Sequence, residues 1–241
     1  PFKYKLEYLD GHREPIRNIH IDFGGSLHKG LDAGLVHEDI SMYDVFEKEY
    51  KKLVSENRAL LPQEYSKVDD VVWLNQGKKI LDNIYKFLDA QFPGYEVISQ
   101  EEELLIDIKE NCAFRFKGYV DIVIFYKKKY WVIDFKSTTS HWNRQKRSDE
   151  MLHAQLQLYK HFWAKKHAID VKQINVAFML LKRIAKPDNN IELFRISGSP
   201  AKLEVAVKKL ENAIMNIERE RFIKNRLSCT GCPYFRTELC P

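Results

Sequence analysis

The sequence predicts a compact α/β domain, in which helices flank a mixed β-sheet. Apolar residues recur at helical spacing through the N-terminal third, and segments rich in β-branched and aromatic residues follow. Helix, strand and helix then alternate to the end. No repeat or low-complexity linker interrupts the 241 residues, so we expect one domain over 1–241. It divides into a helical part at 1–92, a sheet with helices at 93–224 and a cysteine-bearing tail at 225–241.

Composition excludes a membrane protein and leaves the partner open. With 44% hydrophobic and 30% charged residues, the chain has an ordinary globular composition, and no apolar run approaches the roughly 20 residues that cross a bilayer. A net charge of +5 suits a polyanionic partner but is also common in proteins that bind none. The start, Pro1 to Lys5, has neither a signal peptide nor an initiator Met, so we expect a reducing compartment and further residues upstream.

Helices dominate the expected structure before residue 93. A Gly-Gly-Ser run at 24–26 opens a short helical stretch that carries His28. Ser41, with an Asp three residues later, resembles a capping box and begins a second helix. A third begins at residue 69 or 70 and continues to Leu88, and the Pro-Gly pair at 93–94 ends it.

The remaining elements alternate in type. β-strands are expected at 95–98, 103–108, 114–125 and 130–135, because these segments are rich in β-branched and aromatic residues. A helix at 149–167, a buried strand at 174–181 and a last helix that begins after the N-cap Ser199 complete the domain.

The strand at 130–136 places an acid and a lysine on one face. Side chains alternate along a strand, so Asp134 and Lys136 point the same way from an otherwise apolar segment. The preceding strand carries Asp121, and three lysines at 127–129 supply the turn between the two strands.

The length of that turn decides whether the two acids meet, because a slip of one residue moves a side chain to the other face. A three-residue loop sets Asp121 opposite Phe135. A four-residue loop, which pairs 125 with 130, sets it opposite Asp134, and a two-residue loop sets it opposite Lys136. We therefore predict a loop of even length, or a bulge that restores the phase.

Two neighbouring carboxylates repel each other unless a cation lies between them, and Mg²⁺ or Mn²⁺ with water and phosphate oxygens meets that need. A lysine beside them can orient an attacking water and offset charge on a scissile phosphate. The alternative is an exposed hairpin in which Asp134 and Lys136 form a salt bridge.

Four short segments now stand in one order along nearly the whole chain. They are Gly25-Ser-Leu-His28, Gly118-Tyr-Val-Asp121, Asp134-Phe-Lys136 and Gln155-Leu-Gln-Leu-Tyr159. Together they resemble the PD-(D/E)XK nuclease superfamily, and specifically its RecB-type exonuclease branch. The resemblance implies a restriction-endonuclease-like mixed sheet flanked by helices, and hydrolysis of DNA phosphodiester bonds.

The resemblance also implies a role for each residue. The metal ligands would be His28, Asp121, Asp134 and the backbone carbonyl of Phe135, and Lys136 would be the catalytic lysine. Gln155 and Tyr159 would bind DNA or support the site, and Glu101 would be a further acid of the site. Taken alone, a histidine is more often a hydrogen-bonded or surface residue, and a pair at i and i+4 usually packs a helix. Because imidazole suits softer cations, this ligand set favours Mn²⁺ over Mg²⁺, and we predict higher activity with Mn²⁺.

The tail places three cysteines within twelve residues, a spacing typical of metal ligation. RecB-type relatives with an iron–sulfur cluster imply a [4Fe–4S] cluster held by Cys229, Cys232, Cys240 and a residue immediately before Pro1. Cys112 is another candidate for the fourth ligand. A structural zinc, reduced thiols or a Cys229–Cys232 disulfide are the alternatives.

After Lys136 comes a polar loop at 137–147 that contains Trp142 and Arg144, a mixture that can contact phosphates and stack a base. A solvated loop fits this composition equally well. The expected function is a DNA exonuclease acting on single-stranded ends in replication, recombination or repair, in the cytoplasm or another reducing, DNA-containing compartment. A nuclease of the CRISPR-adaptation type that trims ends for a partner, or an inactive DNA-binding subunit, are the alternatives.

Overall fold

The computed structural model of the chain describes residues 2–13, 17–37, 39–110, 113–226, 229 and 232–241. They fall into two compact units: Arg17–Ala206 forms the larger, and Pro1–Ile16 with Val207–Pro241 forms the smaller. The smaller unit begins with α1 (Phe2–Tyr4), which continues as a π-helical turn at Lys5–Leu9. In the described ranges, no helix is both long enough and apolar enough to span a membrane.

Four helices of the larger unit precede its sheet, and they are α2 (Ile19–Val36), α3 (Met42–Leu60), α4 (Asp70–Leu81) and α5 (Ile84–Gln91). The predicted cap of α3 is confirmed, because the Ser41 hydroxyl accepts the backbone N–H of Asp44 at 3.2 Å. The prediction that a helix opens at residues 24–26 is wrong. Helix α2 begins five residues earlier, where the Asn18 side chain accepts two backbone N–H groups.

The single helix expected from residue 69 or 70 to Leu88 is two helices in the structure, with a break at Asp82 and Asn83. The Asn83 side chain donates to the Lys79 carbonyl at 2.9 Å. An asparagine side chain can form such local hydrogen bonds with the backbone in place of those of a continuous helix. The spacing of apolar residues continues across the break, so this spacing alone does not reveal it.

Five strands form one sheet in the order β1 (Glu96–Asp107), β2 (Arg115–Tyr126), β3 (Lys129–Thr138), β4 (Ile174–Lys182) and β5 (Ile191–Ile196). Strands β3 and β4 are parallel, and the other neighbours are antiparallel. The sheet is therefore mixed, and the predicted restriction-endonuclease-like α/β fold is confirmed. The edge strand β5 was missing from the sequence-based prediction, and the two segments expected at 95–108 form the one strand β1.

The crossover from β3 to β4 contains the short helix α6 (Arg144–Arg147) and the long helix α7 (Glu150–His167). The last helix, α8 (Pro200–Glu218), follows β5. Ile133 and Phe135 of β3 join a core with apolar residues of α2 to α5. Asp134 lies between them in sequence and points to the other face of the sheet, where α7 supplies its hydrogen-bond partner Gln155.

The β2–β3 hairpin has a loop of even length, as predicted. Phe125 pairs with Tyr130, and one more pair, Tyr126 with Lys129, leaves only Lys127 and Lys128 in the turn. Both turn residues have positive φ, as a two-residue hairpin turn of the I′ type requires. Because this loop lies at 127–128 and not at 128–129, the register sets Asp121 opposite Asp134 and not opposite Lys136.

Candidate active site

Asp121 and Asp134 lie side by side on β2 and β3, and both are buried, with 7% and 3% of their surface exposed. An oxygen of Asp121, Oδ2, accepts the backbone N–H of Phe135 at 2.5 Å. This hydrogen bond fixes the orientation of the Asp121 carboxylate and leaves its other oxygen for a further contact.

Asp134 has a lysine and an amide as partners. Lys136 Nζ lies 2.7 Å from Asp134 Oδ2, and Gln155 Nε2 donates to Oδ1 at 3.1 Å. Burial, followed by the nearby Asp121 carboxylate, raises the pKa of Asp134 to about 6, and the Lys136 ammonium opposes that rise. Asp134 therefore binds a proton more readily than an exposed carboxyl group does.

The Gln155 amide also donates to the Tyr159 hydroxyl, 3.2 Å away, so one side chain joins the tyrosine to Asp134. A Cβ atom at Gly118 would lie 2.7 Å from the Tyr159 ring, well inside normal contact distance. The glycine that begins the GYVD segment is therefore required by the close approach of the tyrosine ring to β2.

His28 reaches the same site from α2. Its Nδ1 atom lies 3.6 Å from Asp121 Oδ1, and its ring contacts the Phe135 ring edge-on at 5.8 Å. Burial favours the neutral imidazole, but the hydrogen bond and negative charge of Asp121, with the charge of Asp134 and Asp32, raise the pKa of His28 above its ordinary value.

Glu101 joins this group because β1 is irregular. The β1–β2 pairing slips between Val97 and Ser99, and Glu101 itself has a φ of 42°, in the left-handed region that costs a non-glycine residue about 1–3 kcal/mol. In the described part of the chain, one ligand atom from each of His28, Glu101 and Asp121 lies within 4.8 Å of the others. Of three consecutive glutamates, Glu101 is the one that the register sets opposite Asp121, because Gln100 pairs with Ile122 and Glu102 with Val120.

A further acid, Asp32, was missed by the sequence analysis. It lies one helical turn after His28, and its two carboxylate oxygens are enclosed without a hydrogen-bond partner among the described residues. Burial, then the charge of Glu101, raises the pKa of Asp32 to about 7, against the effect of Lys29 and His28. The signal in the sequence was the spacing of four between His28 and Asp32, which places both on one helix face.

We expect Asp32→Asn to stabilise the metal-free protein at pH 8 relative to the wild type. Because the folded-state pKa is raised, the contribution of Asp32 to stability is fully present below pH 4 and is lost as the pH rises through 7. Asparagine does not titrate, so the gain should reach about 1–2 kcal/mol after solvent screening is allowed for. Urea unfolding in EDTA at pH 4 and pH 8 measures it, with Asp89→Asn as the exposed control. A gain that is the same at both pH values would contradict this origin.

The loop after Lys136 is anchored to the sheet. Trp142 is half-buried and contacts the rings of Phe178, at 5.3 Å, and Phe194, at 6.0 Å. Lys136 Nζ lies 5.9 Å from the same Phe178 ring, so Trp142 and Lys136 contact one residue of β4. Arg144 is exposed at the start of α6.

Two of the tail cysteines share an apolar cluster in the smaller unit. Cys240 is buried with Leu6 and Tyr234, and Cys232 packs against them. The sulfur atoms of a closed tetrahedral zinc site lie about 3.8 Å apart, given zinc–sulfur bonds of about 2.3 Å. Within the described residues, the three sulfurs do not all lie within 4.8 Å of one another, so they do not form a ready zinc site. Cys112, the other candidate ligand, lies outside the described residues.

The sequence of the chain also matches the model of a protein family, and this match agrees with the positions of the acids, the lysine and the histidine. The model of the PD-(D/E)XK nuclease superfamily matches residues 1–241, the whole chain. The chain belongs to the PD-(D/E)XK nuclease superfamily. The superfamily consists of nucleases that use divalent metals, and His28, Glu101 and Asp121 form a group that could hold such an ion.

Two solved structures are similar to this PD-(D/E)XK nuclease over nearly its whole length. A Eubacterium rectale protein provisionally named an exonuclease has a crystal structure with a TM-score of 0.57 and 12% identity, covering 98% of this chain and 81% of its own. The crystal structure of SSO0001 covers 97% of this chain and 91% of its own, with 18% identity and a TM-score of 0.39. No curated protein matches the chain. At these identities, the first structure supports the fold alone.

Proposed function

We propose that this PD-(D/E)XK nuclease is a divalent-metal-dependent DNA exonuclease that acts from single-stranded ends. The observation that carries the proposal is the convergence of His28, Glu101 and Asp121 within 4.8 Å, beside the Asp134–Lys136 pair. The group combines an imidazole and carboxylates, which are ligands of Mn²⁺ and Mg²⁺, with a cation positioned for phosphate chemistry.

Donor atoms of His28, Glu101 and Asp121 lie within 4.8 Å of one another and fit a divalent cation. Asp134 and the Phe135 carbonyl would be its further ligands, as the family resemblance implies. When bound, such an ion supplies a Lewis acid for a phosphate oxygen and lowers the pKa of a coordinated water. The buried carboxyl pair supports this assignment, because Asp134, whose pKa is raised, lies beside a second buried carboxyl group, and an added cation would stabilise both charges.

The remaining side chains would position the substrate and the water. Lys136 Nζ donates towards Asp134 and is 29% exposed, so it can contact both the carboxylate and a phosphate oxygen. Gln155 holds Asp134 from the α7 side and links it to Tyr159. Trp142 and Arg144 follow the lysine in the chain and would guide the strand through aromatic and phosphate contacts.

An iron–sulfur cluster held by Cys229, Cys232, Cys240 and a fourth ligand is part of the proposal. The shared cluster of Cys232 and Cys240 with Leu6 and Tyr234 supports it, because this cluster brings residues of both chain ends together. A ligated cluster that closes so long a loop would stabilise the unit by restricting the unfolded chain. Iron and acid-labile sulfide in anaerobically purified protein would confirm the cluster, and stoichiometric zinc without iron would disprove it.

Digestion of end-labelled single- and double-stranded DNA tests the function. We expect mononucleotides or short products from single-stranded ends, with faster release in Mn²⁺ than in Mg²⁺ because His28 is a ligand. Equal or better activity in Mg²⁺ would argue against His28 as a ligand. Retained DNA affinity without cleavage in either metal would identify an inactive DNA-binding subunit. A requirement for a stable protein partner would favour the CRISPR-adaptation type.

A further inference from the structure

A cavity of about 260 Å³ lies at the start of β4, separate from the residues of the candidate active site. It is far larger than the roughly 30 Å³ that one water molecule occupies. Its wall includes Lys160 of α7, Lys172, Asn175 of β4, Gly198 and the first turn of α8. Every lining residue belongs to the larger unit of the chain.

Lys160 is the unusual member of this wall, because only 4% of it is exposed. Its ammonium donates one hydrogen bond, to the Gly198 carbonyl at 2.9 Å. Among the described residues, no carboxylate lies within ion-pair distance of it. A buried ammonium with one neutral acceptor retains unsatisfied donors and an uncompensated charge, which proteins rarely tolerate without a ligand or partner.

The charge around the cavity has one predominant sign. Lys172 lines it, and Lys129 Nζ donates to the Lys172 carbonyl at 2.8 Å. Burial, and then the charge of Lys129, lowers the pKa of Lys160, while Asp170 opposes that effect. Three lysines against one aspartate make this a site where an anion would be favourable.

The backbone around the cavity favours the same class of ligand. Pro200 opens α8 at the cavity wall, and the positive end of that 19-residue helix dipole therefore faces the cavity. A Cβ at Gly198 would lie 2.9 Å from Lys160 Nζ, so only glycine at 198 leaves the ammonium its present position. The glycine, the buried lysine and the helix start thus occupy one cavity wall.

We propose that this cavity binds the phosphate group of a small anion, either inorganic phosphate or a mononucleotide, with Lys160 as its principal contact. A phosphate would accept hydrogen bonds from the two ammonium N–H groups that Lys160 does not use, and the nearby charge of Lys172 would attract it. The site is independent of the cleavage reaction proposed above, because none of its residues belongs to the carboxylate cluster.

The competing explanation is purely structural. Gln157 Nε2 donates to the Ser197 carbonyl at 2.9 Å, and Lys160 donates to the next carbonyl, so both side chains hold the link between β5 and α8. If that were the only role of Lys160, Lys160→Met would destabilise the protein and phosphate would have no effect. If the cavity binds phosphate, phosphate should stabilise the wild type, and Lys160→Met should abolish that stabilisation, whatever hydrogen bond the substitution also removes.

Thermal unfolding of the full chain in EDTA distinguishes the two. Potassium phosphate should raise the Tm by about 3–6 °C at ten times its Kd, relative to potassium chloride at equal ionic strength. Lys160→Met should abolish that rise. Lys86→Met, at an exposed lysine of α5, should retain the whole rise.

Two further ligands identify the chemical group that binds, and a second variant tests the proposal if Lys160→Met does not fold. A deoxyadenosine 5′-monophosphate arm should stabilise the protein as phosphate does, and a thymidine oligonucleotide with no terminal phosphate should not. A response to the oligonucleotide alone, or a rise that survives Lys160→Met, would overturn the proposal. If Lys160→Met does not fold, Gly198→Ala tests the proposal in its place. The added Cβ would displace the Lys160 ammonium and should weaken phosphate binding at least about tenfold.

Discussion

Replacing Asp134 with asparagine should reduce Mn²⁺-dependent cleavage of end-labelled DNA at least about 10³-fold and weaken Mn²⁺ binding. Asp134 supplies a buried carboxylate next to Asp121, and the amide offers a cation one neutral oxygen in place of a charged one. Gln155 would keep its hydrogen bond to the Oδ1 position, so the geometry of the site should survive the change. Single-turnover cleavage and calorimetric titration with Mn²⁺ measure the two losses separately.

The stability of the Asp134→Asn variant is the control that excludes unfolding as the cause of the lost activity. The folded-state pKa of Asp134 is raised to about 6, so its ionisation destabilises the metal-free protein as the pH rises through that value, and asparagine removes the effect. Asp134→Asn should therefore melt no lower than the wild type at pH 8 in EDTA. Asp89→Asn, at an exposed position, should leave cleavage unchanged. Full activity in Asp134→Asn would eliminate the proposed mechanism.

Alternation along the strands placed Asp134 and Lys136 on one face, and the length of the turn was the condition for Asp121 to join them. Once Asp121 and Asp134 lie on adjacent strands, the number of residues in the turn decides whether the two side chains are on the same face, and only a few turn lengths are possible. Strand β4 was also predictable, because its continuous apolar run indicates a buried strand. Helices α3 and α8 were predictable because apolar spacing and N-cap residues are local properties of the sequence.

Features that depend on tertiary context were not predictable. The edge strand β5 is short and half-exposed, so its pattern resembles that of a loop. The register of β1 changes between Val97 and Ser99 and Glu101 has a left-handed backbone, and three consecutive glutamates offer no local signal to choose among them. The pKa of Asp32 is raised by its burial and then by the charges of Glu101 and Asp121, which are distant from it in sequence.

Lys136→Met should separate cleavage from cation binding. Methionine has a similar length and fills the space beside Phe178, but it removes the ammonium that lies 2.7 Å from Asp134 Oδ2. Without that competitor, Asp134 should bind Mn²⁺ at least as tightly as in the wild type.

Cleavage in the same variant should fall by about 10²–10³-fold, because the lost cation acts on the water and the phosphate and not on the metal. Lys136→Arg should recover little of it, since the planar guanidinium cannot occupy the position of a compact ammonium so close to one carboxylate oxygen. Lys86→Met serves as the matched control. If Lys136→Met instead lost Mn²⁺ affinity in proportion to its activity, the lysine would act by organising the ligands, and its placement as a catalytic group would be wrong.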